Sequence, residues 1–141
     1  MKLVYKKNVD GKISGYCDSD WANDIEDRKS CTGYIFLFQG ATIIWNSKEQ
    51  QIIALSTSEA EYMALASAIQ EALWLKQLAD EFQSELKGTP IGLYCDNQSA
   101  ISLSDNAAYH ARSKHIDVRY HFVREKIAAK QIMVQYKCTG D

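Results

Sequence analysis

The chain has 141 residues, 46% of them hydrophobic and 24% charged, and a net charge of −2, the balance of one globular domain with a buried core rather than of a disordered segment. The longest apolar runs are only a few residues, so no segment spans a membrane, and the opening MKLVYKKN lacks the apolar stretch of a signal peptide, which reads as an intracellular chain. The acidic balance argues against non-specific nucleic-acid binding as the main task, but leaves room for a nuclease whose metal ions neutralise clustered carboxylates.

In chain order, LVYKK and KISGYCD flank Asn8-Val9-Asp10-Gly11, whose Asp-Gly predicts an opening hairpin. A polar loop, SDWANDIEDRK, precedes two strand-like runs, CTGYIFLFQ and ATIIWNS, which Gln39-Gly40 joins as a second hairpin. From Ser58 to about Phe82 the period becomes helical, and S-x-x-E occurs twice at its start, Ser56 with Glu59 and Ser58 with Glu61. Gly88-Thr89-Pro90 breaks the chain before the short strand IGLYCD. A short helix over NQSAISLS follows, then a helix from roughly Ile116 to Ala129 and a closing strand, IMVQYKC. A strand–helix–strand crossover implies a parallel pair. The whole reads as one α/β domain over residues 1–141, a mixed sheet packed by helices.

The tripeptide Tyr-Cys-Asp ends an apolar run twice, at Tyr16-Cys17-Asp18 and Tyr94-Cys95-Asp96. Side chains alternate along a strand, so Asp18 shares a face with Tyr16, and Asp96 shares one with Tyr94. If the two strands are neighbours, both carboxylates emerge at the carboxyl edge of the sheet, where α/β proteins commonly place sites. Helix phase supplies a third. Leu65, Ala68, Ile69, Ala72, Leu73 and Leu75 form one apolar stripe; Glu61 falls within it, one turn before Leu65, whereas Glu59 points away. An inward Glu needs a partner, because an unpaired buried charge is costly. Taken singly, the aspartates read as caps, and Glu61 as the second half of a capping box with Ser58. Their coincidence outweighs those readings, and three hard oxygen donors suit Mg²⁺ or Mn²⁺ better than zinc.

The four cysteines, Cys17, Cys31, Cys95 and Cys138, form no C-x-x-C and read as reduced, strand-buried thiols. His110, His115 and His121 have no cysteine pair beside them and read as structural or surface residues. Trp21, Trp45 and Trp74 read as core or edge packing.

The blocks DSDWAND, DRKSCTGYIF, IIWNSKEQ, ALSTSEAEYMAL, LYCDNQSAI and HARSKHIDVRYHFVRE closely resemble the ribonuclease H domain of Ty1/copia-type LTR retrotransposon Pol polyproteins, from about Leu3 to Cys138. The resemblance implies a ribonuclease H-like fold, a five-stranded mixed sheet with helices on both faces, with residues 1–12 a lead-in hairpin from the preceding polyprotein region. It implies hydrolysis of the RNA strand of RNA–DNA hybrids during reverse transcription, inside a cytoplasmic virus-like particle and beside the reverse transcriptase region. Its catalytic, metal-binding residues fall on Asp18, Glu61 and Asp96. Two Mg²⁺ ions (or Mn²⁺), roughly 4 Å apart, would straddle the scissile phosphate. Thr57, Ser58, Asn97 and Gln98, beside the carboxylates, become substrate-binding candidates for sugar and backbone contacts.

The family's fourth carboxylate opens a last helix in an Ala-Asp pair, beyond the point where this chain stops. Asp117 does not match it, because it begins the helix before the last strand, and Asp141 is terminal. The expectation is a domain with its last helix truncated, feeble on its own, with the reverse transcriptase supplying substrate grip. Two alternatives stand beside it: a non-catalytic ribonuclease H-like module serving interactions, and a nuclease of the same fold acting on DNA.

Overall fold

In a computed structural model, residues 2, 4, 11–21, 28–82, 87–105 and 114–138 are described. The expected opening hairpin falls largely outside them, as do His110 and Asp141. Strands β1 (Ile13–Asp20), β2 (Cys31–Phe38) and β3 (Ala41–Glu49) form an antiparallel meander. Helix α1 (Thr57–Phe82) then crosses to β4 (Ile91–Cys95), and helices α2 (Gln98–Asp105) and α3 (Lys114–Ala128) lead to β5 (Ile132–Tyr136). The sheet order is β3-β2-β1-β4-β5, with β4 parallel to both β1 and β5. This is the mixed α/β sheet that the element order predicted, with β1 and β4 adjacent.

Two local features set the strands. The β2–β3 hairpin closes on Gln39 and Gly40, both at positive φ (51° and 76°), the handedness that a two-residue turn needs to match strand twist. In β1, Gly15 pairs with Phe36 on one side and Leu93 on the other. A Cβ there would lie 2.5 Å from the side chains of both. Glycine lets these two fully buried residues meet over β1.

The core lies between the sheet and the helices. Cys17, Phe36, Leu93 and Cys95 pack with Leu65, Ile69 and Ala72 of α1, Ala100 of α2, and Tyr120 and Val123 of α3. The predicted stripe of α1 is this buried face, with Leu73 packed at its margin. All three described helices therefore share one face. Among the described residues no helix covers the other face, so the second helix layer implied by the resemblance is not found there. That open face carries Tyr16, Ile35 and Tyr94. Among the described residues no helix is long and apolar enough to cross a membrane.

Candidate active site

Three elements bring three carboxylates together. Cys17 and Cys95 are register partners across β1 and β4, so Asp18 and Asp96 leave the two strands side by side. Parallel pairing makes both strands end at one edge. Glu61 arrives from the second turn of α1, on its buried face, only 6% exposed. One carboxylate oxygen from each of Asp18, Glu61 and Asp96 lies within 4.8 Å of the other two.

The start of α1 explains why Glu61 is available. Ser56 Oγ accepts from the Glu59 N–H at 3.2 Å, and Glu59 Oε2 accepts from the Leu55 N–H at 2.7 Å. The first of the two S-x-x-E pairs thus caps the helix, with Glu59 reaching back to the residue before Ser56. The capping role open to Glu61 with Ser58 is thereby taken by the earlier pair, two residues up the chain.

Electrostatics register the crowding. Burial pushes the Glu61 carboxyl up to about 7 from an ordinary 4.5, with Asp18 and Asp96 adding to the rise and the Ser19 hydroxyl and N–H opposing it. Asp18 is also raised, chiefly by burial and then by Asp96, although the Ser19 N–H donates to its Oδ1 at 2.8 Å. Like charges at this spacing in a partly desolvated corner disfavour ionisation of Asp18 and Glu61. A divalent cation removes that penalty, and an all-carboxylate donor set fits a hard ion such as Mg²⁺ or Mn²⁺.

The chain is similar to two plant Pol polyproteins. It is 50% identical over 122 residues to the retrovirus-related Pol polyprotein from transposon TNT 1-94 of Nicotiana tabacum, a match covering 86% of this chain and 9% of that protein. It is 36% identical over 139 residues to the Pol polyprotein from transposon RE2 of Arabidopsis thaliana, covering 99% of this chain and 10% of that one. The chain thus spans about a tenth of the length of these relatives. No family model matches it. Among solved structures, LC11-RNase H1, isolated from compost, superposes with a TM-score of 0.63 at 16% identity, over 92% of this chain and 86% of that one. The same protein in complex with an RNA/DNA hybrid gives 0.61. The chain is a ribonuclease H-fold homologue of a segment of copia-like Pol polyproteins.

Around the carboxylates of this ribonuclease H fold, the open sheet face forms a groove of about 450 Å³ lined by Tyr16, Asp18, Ile35, Tyr94, Asp96 and Lys137, among others. Tyr16 and Tyr94 stack with ring centroids 5.1 Å apart. This contact accounts for the tyrosine that both Tyr-Cys-Asp runs share. Lys137 lies in the same groove and was not among the residues singled out from the sequence. An isolated lysine after a strand carries no signal until strand register is known.

The four substrate-binding candidates sit at the first turns of the two helices nearest the carboxylates. Thr57 and Gln98 are exposed and Ser58 is half-buried. Asn97 Oδ1 accepts from the Ala100 N–H at 3.0 Å and caps α2. Of the core-or-edge reading of the tryptophans, the core half does not hold: Trp21, Trp45 and Trp74 are 46%, 74% and 54% exposed, and Trp45 lies on edge strand β3. Trp21 is tethered, its Nε1–H donating to Ala54 O at 3.3 Å. The cysteines are free as expected, with Cys17 and Cys95 buried, but Cys31 is half-buried and Cys138 exposed. His121 is a surface residue, 3.6 Å from Asp117 on the same helix face.

Proposed function

We propose that the chain is a ribonuclease H that cleaves the RNA strand of RNA–DNA hybrids endonucleolytically during reverse transcription of a retroelement. The observation that carries this reading is the convergence of Asp18, Glu61 and Asp96 at the carboxyl edge of a ribonuclease H sheet. Its Pol relatives and the LC11 enzyme's complex with an RNA/DNA hybrid support the substrate class. The parent polyprotein's reverse transcriptase region is the natural partner, and the cytoplasmic virus-like particle the setting.

Asp18, Glu61 and Asp96 would hold two divalent cations, Mg²⁺ or Mn²⁺. When bound, such a pair supplies a water nucleophile at neutral pH and stabilises the departing 3′ oxygen. The Ser19 N–H fixes the Asp18 carboxylate, and the Ser56–Glu59 cap holds the first turn of α1 so that Glu61 faces inward. Near neutral pH Glu61 retains a proton for part of the time and gives it up on ligation. Thr57, Ser58 and Gln98, at helix starts, would contact sugar and backbone of the substrate, and Asn97, whose Oδ1 caps α2, would offer its amide Nδ2–H groups. Selection for RNA rests on 2′-hydroxyls across the hybrid's minor groove.

The test is cleavage of a labelled RNA–DNA hybrid in Mg²⁺ and in Mn²⁺, beside single-stranded RNA and double-stranded DNA. Hybrid-only cleavage, reduced at least ~100-fold in Asp96→Asn, is the expected result. Cleavage of the DNA duplex would instead favour a DNA nuclease of the same fold. A second reading has one observation in its favour: the carboxylate cluster has three members, not four, among the described residues. A chain that binds hybrid and metal but leaves every substrate intact would be the non-catalytic or weakly active module.

A further inference from the structure

We propose that Lys137 is a substrate-contacting residue, binding a phosphate of the nucleic-acid strand that lies against the carboxylates. The inference rests on the ribonuclease H reading and adds a binding residue to it. Strand register carries it. Cys17 pairs with Cys95 across β1 and β4, and Cys95 pairs with Tyr136 across β4 and β5. Asp18, Asp96 and Lys137 are therefore the next residues outward on three adjacent parallel strands. The Lys137 N–H donates to Cys95 O at 2.9 Å, so the ladder continues past the end of β5 and fixes the lysine backbone in that row. One edge of the sheet presents two carboxylates and an ammonium group side by side.

The environment of the ammonium group points the same way. Its Nζ sits 5.2 Å from the ring centroid of Tyr16 and 5.8 Å from that of Tyr94. These rings attract the cation without neutralising it. Among the described residues Nζ makes no ion pair, although Asp18 and Asp96 line the same groove. The ammonium is left for an anion. A lysine ammonium binds phosphate as a point charge on a flexible stem, and a strand crossing the carboxylates carries phosphates on either side of the scissile one.

A purely structural role is the competing account, in which Lys137 only ties β5 to β1 and β4 through the tyrosines. Fluorescence anisotropy of a labelled RNA–DNA hybrid, with Ca²⁺ replacing Mg²⁺ and across a KCl series, separates the two. The samples are the unmodified chain, Lys137→Met, which keeps the stem, and Lys137→Arg, which keeps the charge. Lys137→Met is expected to weaken binding about tenfold and to lower the slope of log affinity against log salt by about 1, with Lys137→Arg close to the unmodified chain on both. Unchanged affinity and slope in Lys137→Met, whatever its melting temperature, would overturn the proposal. Equal losses in both variants would assign the effect to packing and overturn it too. If the unmodified chain binds hybrid but cleaves nothing in Mg²⁺, the ribonuclease reading fails while the slope still decides Lys137; no binding at all overturns both.

Discussion

The two halves of strand β1 make opposite demands on the fold. At Gly15 the backbone shrinks so that Phe36 and Leu93, both fully buried, can meet above it. At Asp18, further along the same strand, a carboxylate is held against Glu61 and Asp96, and burial and mutual repulsion raise the pKa of Asp18 and Glu61. The first half contributes stability, and the second draws on it. The carboxylates do not hold themselves together: strand register places two of them and a helix cap places the third.

Substitutions in the two halves should therefore separate stability from site chemistry. The largest expected effect on stability is Gly15→Ala, where the new methyl must displace the Phe36 ring or Leu93. We expect a loss of about 1–3 kcal/mol, read as a lower urea midpoint at unchanged slope, with metal affinity of the folded fraction retained. A neutral substitution there would mean that the core over β1 is looser than its contacts indicate.

The opposite sign is expected at Glu61. Its folded pKa of about 7 lies above the ordinary 4.5, so the folded chain holds an extra proton between those values. That contribution to stability is complete below the unfolded pKa and is lost as pH rises through the folded one. Without metal, the melting temperature should fall between pH 5 and 8, by a few degrees. Glu61→Gln should flatten that fall and leave the chain more stable than the original at pH 8. A melting temperature that rises with pH in the metal-free chain would contradict the charge crowding.

The smallest effect belongs to the hairpin turn, remote in role from the carboxylates. Gln39 holds a left-handed conformation at φ 51° with a β-carbon. Gln39→Gly relieves that strain, at the cost of a more flexible unfolded chain, and should stabilise by up to about 1 kcal/mol without altering metal binding. Thermal melts beside a metal titration would check both halves of that statement.

Much of this was legible in the residues. Period-2 alternation at two Tyr-Cys-Asp runs and the 100° phase of α1 selected Asp18, Asp96 and Glu61, because local backbone geometry alone decides which face those side chains take. The element order implied a parallel pair but left open which strands form it, and only the observed register shows that β4 pairs with β1 rather than with β3. Sequence left two S-x-x-E pairs open at the start of α1, since either spacing can cap, and only the hydrogen bonds of Ser56 and Glu59 choose between them. Lys137 was invisible for a different reason. Its place depends on the register of β5 against β4, a relation between segments far apart in the chain. The tryptophans stand between core and edge in the sequence because a large apolar side chain on an edge strand or an outer helix face reads like a core residue until the layer that faces it is known; Trp45, on edge strand β3, is the most exposed of the three.

The central claim is that the edge where β1 and β4 end is a divalent-metal site made at the expense of three crowded carboxylates. Calorimetric titration of the chain with Mn²⁺ at pH 7, in two buffers of different ionisation heat, tests it most directly. Saturable binding whose enthalpy differs between the buffers, because Glu61 releases a proton, and which disappears in Asp96→Asn, is the predicted result. Binding that survives Asp96→Asn, or no binding at all, would contradict the account.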